Sequence, residues 1–199
     1  LVEIDHGLAT YLKHKYHDKQ NVEIIDKDVL KIDFNQKKLS VVSNLPYYIT
    51  TSIIEKVVLE NKNLVQFVFM VQQELSQRLF AEPKSKEYGP LTILLRLTWT
   101  LKSMVHVDRS AFYPTPHVDS SVYAYTPIEH GLNITRIYPF IKSLFLMRRK
   151  TLYNNLVPLV KDKEKAKYLL EEAGLSPKVR PEELNPTDFI RLYDCFIRE

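Results

Sequence analysis

Apolar residues in this chain follow two spacings in turn. Alternation, or an unbroken apolar run of about four to eight, predicts a strand, and recurrence three and four apart predicts a helix. Residues 1–5 read as a strand and 6–16 as a helix with Leu8 and Leu12 on one face. "NVEIIDKDVLKIDF" at 21–34 reads as a strand followed by a turn, and "LSVVS" at 39–43 as a short buried strand. A helix follows over 50–59, with Ile53, Ile54, Val57 and Val58 on one face. "LVQFVFMV" at 64–71 is the most strand-like segment, and "QQELSQRLF" after it has helical spacing. Pro, Gly and charge break the pattern over 81–89, and Pro90 then sits at a plausible first helical position of "PLTILLRLTW". "SMVHVD" at 103–108 and "SSVYAYTP" at 120–127 read as two further strands.

Strands alternating with helices predict an α/β domain with a mostly parallel sheet covered on both faces. The two late strands suit an antiparallel edge. From Ile134 to Glu199 the spacing is helical only, in the stretches 136–156, 162–174 and 186–199. The expected organisation is therefore an α/β domain over 1–131 and a small all-helical domain over 132–199.

Composition and charge narrow the function. With 45% hydrophobic and 11% aromatic residues the chain reads as an ordered globular protein. A formal charge of +4 leans towards polyanionic partners. The single cysteine, Cys195, excludes an intramolecular disulfide and Cys-rich zinc sites, and suits a reducing cytosol. Cys195 reads as core rather than nucleophile. The six His residues lack H-x-x-x-H spacing, which argues against a metal site. No apolar run approaches the roughly 18 residues of a membrane span. A soluble cytoplasmic monomer is the expectation.

In doubly wound sheets, ligands bind beyond the carboxyl ends of the strands. Glu3 ends the first strand, where a carboxylate can accept hydrogen bonds from two ribose hydroxyls. Asp28 lies just past the next strand, placed to take the exocyclic amine of an adenine, with Asp26 and Asp33 as competitors and an ordinary turn Asp as the bland alternative. Asn44 ends the third strand within "NLPY". An amine on an aromatic base is a poor nucleophile because its lone pair is delocalised into the ring. Two acceptors, the Asn44 side-chain oxygen and a main-chain carbonyl at Leu45 or Pro46, can each take one N–H and turn the lone pair towards an electrophile. Pro46 fixes φ and removes a competing donor. Tyr47 offers a face for the base to stack on. Phe112, ahead of a Pro-x-Pro pair, could close over the other face of an extruded base. Catalysis would then rest on alignment rather than on a shifted general base.

"SNLPYYIT", "PKSKEYGPLTILL", "FYPTPHVDSSV" and "MRRKTLYNNL" occur in order, with "RPEELNPTDFIRLYD" near the end. Together they resemble the ribosomal RNA adenine dimethyltransferases of the bacterial KsgA type. The resemblance implies a Rossmann-like class I methyltransferase sheet with a helical C-terminal domain, and S-adenosylmethionine as cofactor. It implies dimethylation of N6 on two adjacent adenosines in a hairpin loop near the 3′ end of small-subunit rRNA. On this resemblance Glu3 holds the cofactor ribose and Asp28 its adenine, Asn44 lies between cofactor and target amine, and Tyr47 and Phe112 contact the flipped adenine. Arg148, Arg149 and Lys150, otherwise a solvated helix end, become RNA phosphate contacts.

One departure stands out. A glycine-rich cofactor loop is expected about 20 residues before the ribose acid, yet only two residues precede Glu3 and no G-x-G occurs. The chain is thus expected to be a fragment that lacks that loop, its helix and a central strand, and to be inactive by itself. Two rival functions remain: a large-subunit rRNA adenine methyltransferase of the antibiotic-resistance type, and a non-catalytic nucleic-acid-binding relative.

Overall fold

A computed structural model describes residues 1–34, 38–60 and 63–198. Glu199, the last residue of the expected terminal helix, lies outside them.

The strands are β1 (Val2–Glu3), β2 (Ile25–Asp26), β3 (Leu39–Asn44), β4 (Leu64–Gln72), β5 (Trp99–Val107) and β6 (Ser120–Pro127). The helices of the first part are α1 (His6–Lys15), α2 (Thr50–Glu60), α3 (Gln73–Leu79) and α4 (Pro90–Thr98). Those of the second part are α5 (Ile134–Leu144), α6 (Leu152–Val160), α7 (Lys163–Glu172) and α8 (Pro186–Arg198). Among the described residues no strand follows β6, as the spacing predicts.

The sheet is mixed and divided. β1 and β2 form a parallel pair, and β3, β4, β6 and β5 form a separate four-stranded sheet in that order. β3–β4 is parallel, while β4–β6 and β6–β5 are antiparallel. The late strands therefore make the antiparallel edge expected of them, but the larger sheet is not mostly parallel, because β6 inserts between β4 and β5. Nor is β3 covered on both faces: its residues alternate half-buried and exposed, and Val42 is 79% exposed. The central strand that the resemblance implies has no counterpart among the described residues, and the sheet is split between β1 and β3.

Local chemistry explains the shifted boundaries. β1 stops at Glu3 because its Oε1 accepts from the backbone N–H groups of Ile4 and Asp5, after which Asp5 caps α1 by accepting from Leu8 N. In α1 the spacing misleads: Ala9 is the buried residue and Leu8 faces solvent. The "PLTILLRLTW" helix ends one residue early, and β5 starts at Trp99, whose ring packs edge-on against Tyr125 at 5.3 Å. The single helix expected over 136–156 breaks into α5 and α6. Thr151 caps α6, and buried Asn155 holds the connecting turn by accepting from Met147 N and donating to Met147 O.

The core is shared by both parts. Phe67 and Phe69 of β4 are buried, and the Phe69 ring lies 4.7 Å from Phe67 and 5.3 Å from Tyr125. Burying each such side chain contributes about 1.5–3 kcal/mol. Helices α5 and α8 pack on α4, and α5 also packs on α2. Tyr88, fully buried, donates its hydroxyl to Leu184 O at 2.9 Å. Cys195 is buried within the same core, and burial pushes its thiol pKa up.

A polar contact joins α2 to α5. Tyr138 Oη donates to Glu55 Oε1 at 2.6 Å, and Lys142 Nζ donates to Glu55 Oε2 at 3.1 Å. Burial, and then the bond to Glu55, push the Tyr138 pKa up, so the phenol stays a donor across the physiological range. Because Glu55 keeps Lys142, Tyr138→Phe is expected to cost only about 1–2 kcal/mol. Urea unfolding should show a lower midpoint at constant slope; an unchanged midpoint would mean that water replaces the phenol at no cost.

Candidate active site

The carboxyl end of β3 carries the sequence-predicted loop. Asn44 is in register with Met70, Met70 with Val122, and Gln72 with Ser120. Thus the end of β3, the end of β4 and the start of β6 lie along one edge of the sheet. The 108–119 loop, which bears Phe112, enters β6 at that same edge.

Asn44 is exposed. Its side-chain amide makes no hydrogen bond with any described residue. Leu45 is the anchor: its side chain is 1% exposed, and its N–H donates to Met70 O at 3.4 Å. Pro46 sits at φ −59° and ψ 126°, ahead of a 3-10 turn over Tyr47–Ile49. The Pro46 carbonyl accepts from Ile49 N at 3.1 Å and from Thr50 Oγ1 at 2.8 Å, and Thr50 is buried. A carbonyl has two lone pairs. Both are engaged here, so Pro46 is no candidate for the main-chain acceptor. The Leu45 carbonyl, free of any hydrogen bond to the described residues, is the one that remains.

Tyr47 is 49% exposed and Tyr48 is 83% exposed. Sequence reasoning passed over Tyr48, although the doubled Tyr was the available signal. Phe112 is half-buried, and no ring contact joins it to Tyr47 among the described residues. Its loop is tied at the stem. Asp119 Oδ1 accepts from Arg109 N and Asp119 O accepts from Gln73 N, both at 3.0 Å. Bonds from Ser110 hold the Asp108 carboxyl below its ordinary range. Asp119 is a positioning residue that the sequence did not flag, since an Asp ahead of a strand looks like any turn residue.

Glu3 and Asp26 are register partners in the parallel pair, and Asp28 follows two residues on. The structure therefore brings Glu3 and Asp28 to one strand end. Each uses one oxygen locally: Glu3 Oε1 as described, and Asp28 Oδ1 on Leu30 N at 2.9 Å. Their second oxygens make no hydrogen bond to the described residues. Asp26 is engaged, with His6 Nδ1 at 2.6 Å and Lys13 Nζ at 3.7 Å. No pairing ties Glu3 or Asp28 to Asn44, because the two sheets are separate.

Arg148, Arg149 and Lys150 lie in the turn after α5 rather than at a helix end. Arg148 is committed elsewhere: its Nη2 donates to Lys86 O and Tyr88 O, both at 2.9 Å.

This arrangement belongs to a known class of fold. A dimethyladenosine transferase from Plasmodium falciparum superposes with a TM-score of 0.81 at 24% identity, over 99% of this chain and 81% of that one. The 23S rRNA methyltransferase ErmE superposes with a TM-score of 0.62 at 22% identity, over 98% of this chain and 80% of that one. Both likenesses show the fold, a methyltransferase-type α/β sheet with helices.

The family follows from sequence. The chain belongs to the ribosomal RNA adenine dimethylase family, whose profile matches residues 1–198. It is 37% identical over 203 residues to the ribosomal RNA small subunit methyltransferase A of Clostridium botulinum strain Langeland, covering 98% of this chain and 74% of that protein. It is 38% identical over 209 residues to the protein of the same name from Lactobacillus delbrueckii subsp. bulgaricus, covering 96% of this chain and 71% of that protein. Among the described residues no helix is long and apolar enough to cross a membrane.

Proposed function

We propose that this chain carries the adenine-binding site of an S-adenosylmethionine-dependent rRNA methyltransferase. Its substrate is N6 of two adjacent adenosines in the 3′-terminal hairpin loop of small-subunit rRNA, met by a cytoplasmic monomer on the immature small subunit. The observation that carries this reading is the pair of unengaged acceptors at the end of β3, the Asn44 amide oxygen and the Leu45 carbonyl. An adenine N6 amine has two N–H groups to match them.

Each acceptor takes one N–H, which holds nitrogen in a pyramidal form with its lone pair directed away from both. Tyr47 stacks on one face of the base and Phe112 closes over the other. Bases gripped this way must leave their helix first, which favours a loop or an unpaired end. Glu3 and Asp28 suit an adenosyl group: their two spare carboxylate oxygens, at the ends of adjacent parallel strands, match ribose hydroxyls and an exocyclic amine. Bound there, S-adenosylmethionine supplies an electrophilic methyl. No carboxylate or imidazole beside Asn44 is needed as a base, since alignment supplies the main effect. Arg149 and Lys150, exposed in the turn before α6, face the RNA phosphates.

The names of the sequence relatives favour small-subunit over large-subunit rRNA. Incubation of a form of the protein that carries a glycine-rich cofactor loop ahead of Glu3 with methyl-labelled S-adenosylmethionine and either RNA separates the two. Dimethyladenosine at two neighbouring positions of the small-subunit hairpin is the expected product. Label confined to one adenosine of large-subunit RNA would sink the assignment.

A further inference from the structure

We infer that the cleft between α3, the 84–90 segment and the end of α5 seats the RNA backbone beside the target nucleotide, with Arg78 and Lys86 as its phosphate-binding cations and Arg148 as the strut that fixes it. This rests on the RNA-methyltransferase reading above and names where the RNA lies.

The cleft has a volume of about 440 Å³ and takes Arg78, Lys86, Lys142 and Arg148 into its wall. They come from sequence positions far apart, so the fold and not a local charge run gathers them. Glu74 and Glu87 also line it, leaving the wall with more cations than carboxylates.

The cations differ in what they already hold. Lys142 is paired with Glu55 at 3.1 Å, and its Nζ lies 5.5 Å from the Tyr138 ring centroid. Arg148 spends Nη2 on the carbonyls of Lys86 and Tyr88. Arg78 and Lys86 are exposed, and their side chains make no hydrogen bond or ion pair with any described residue. Two unpaired cations in a concave wall are where a polyanion gains most, because no internal ion pair must first be broken.

The place also fits. Helix α3 starts where β4 ends, at the sheet edge shared with Asn44, and Glu55 sits one turn along the helix that follows the Asn44 loop. An RNA strand whose adenine enters at Asn44 therefore runs its flanking phosphates onto this wall. Arg148 acts as a positioning residue: with both carbonyls held, Lys86 cannot swing away with its loop.

The test is binding of a synthetic hairpin RNA from the 3′ end of small-subunit rRNA, measured at several salt concentrations. Each lost phosphate contact lowers the slope of log K against log salt by roughly 0.7–0.9. Arg78→Gln with Lys86→Gln should flatten the slope by about 1.5 and weaken binding at least tenfold at physiological salt. Lys102→Gln, on the exposed edge strand β5, removes a similar charge elsewhere and should leave the slope unchanged. Arg148→Lys keeps the charge but not the two-carbonyl geometry. It should weaken binding several-fold with a slope change under about 0.5. A wild-type slope in the double variant, with RNA still bound, would overturn the cleft and spare the function. Failure of the wild-type protein to bind the hairpin at all would overturn both.

Discussion

In a form of the protein that carries a glycine-rich cofactor loop ahead of Glu3, Asn44→Ala is expected to lower the single-turnover rate of methyl transfer about 100- to 1,000-fold while leaving hairpin RNA affinity unchanged. The expectation follows from what Asn44 holds and what it does not. The side chain is exposed and makes no hydrogen bond to the described residues, so its removal takes nothing from the folded state. All of its worth lies in the complex, where its oxygen fixes one N–H of the target amine. As nitrogen gains positive character in the transition state, its N–H groups become stronger donors and the bond tightens. An interaction made mainly then changes rate rather than binding. Asn44→Asp makes the control more demanding, because it keeps an acceptor of the same length and adds charge; it should retain more activity than Ala. Rapid-quench measurement with saturating RNA and cofactor reads the effect directly. Were the Ala variant to methylate within a factor of three of wild type, the amide would have no part in activating the amine, and a base elsewhere would have to be sought.

The residues behind this expectation were legible in the chain because each belongs to a local pattern. "NLPY" needs only a strand before it and a helix after it, and β3 and α2 supply both. Pro46 and the alternation in "LVQFVFMV" are equally local signals. What could not be read depends on which polar groups meet in the fold, whether near or far along the chain. The engaged state of the Pro46 carbonyl needs the Thr50 hydroxyl to turn back on it, and a β-branched Thr at a helix start is equally at home pointing outwards. The break at 145–151 depends on Asn155 reaching back to Met147, so continuous helical spacing across it misled. Arg148 looked like a phosphate contact because three cations in a row do so; the carbonyls that claim it lie 60 and 62 residues away. Polar contacts of this sort leave no hydrophobic period in the sequence. The same holds for the split sheet, since strand order depends on which edges meet.

Leu45→Ala is expected to be the most damaging change at the site. At 1% exposure the Leu45 side chain is as buried as Phe69, and it sits between two residues that solvent reaches, Asn44 and Pro46. Truncating it should lower stability by about 2–5 kcal/mol, from lost transfer energy plus the cavity left behind. The backbone consequence matters more for function. The Leu45 carbonyl, the second acceptor for the target amine, is aimed only by the burial of its own side chain, by the bond from Leu45 N to Met70 O, and by the fixed φ of Pro46. Without the anchor, the carbonyl drifts by the fraction of an ångström over which alignment is lost. Leu45→Met separates the two effects. Its volume is nearly conserved, so stability should fall by less than about 1.5 kcal/mol, yet a flexible side chain holds the backbone less firmly. The expected result is therefore ordered: the Ala variant loses both stability and rate, and the Met variant keeps most of its stability while its rate at saturating substrate still falls. Urea denaturation and single-turnover kinetics on the same preparations, again of the loop-bearing form, provide both numbers. If the folded fraction of Leu45→Ala turned over at the wild-type rate, the main-chain carbonyl would not be an acceptor for the amine, and Asn44 would have to act without it.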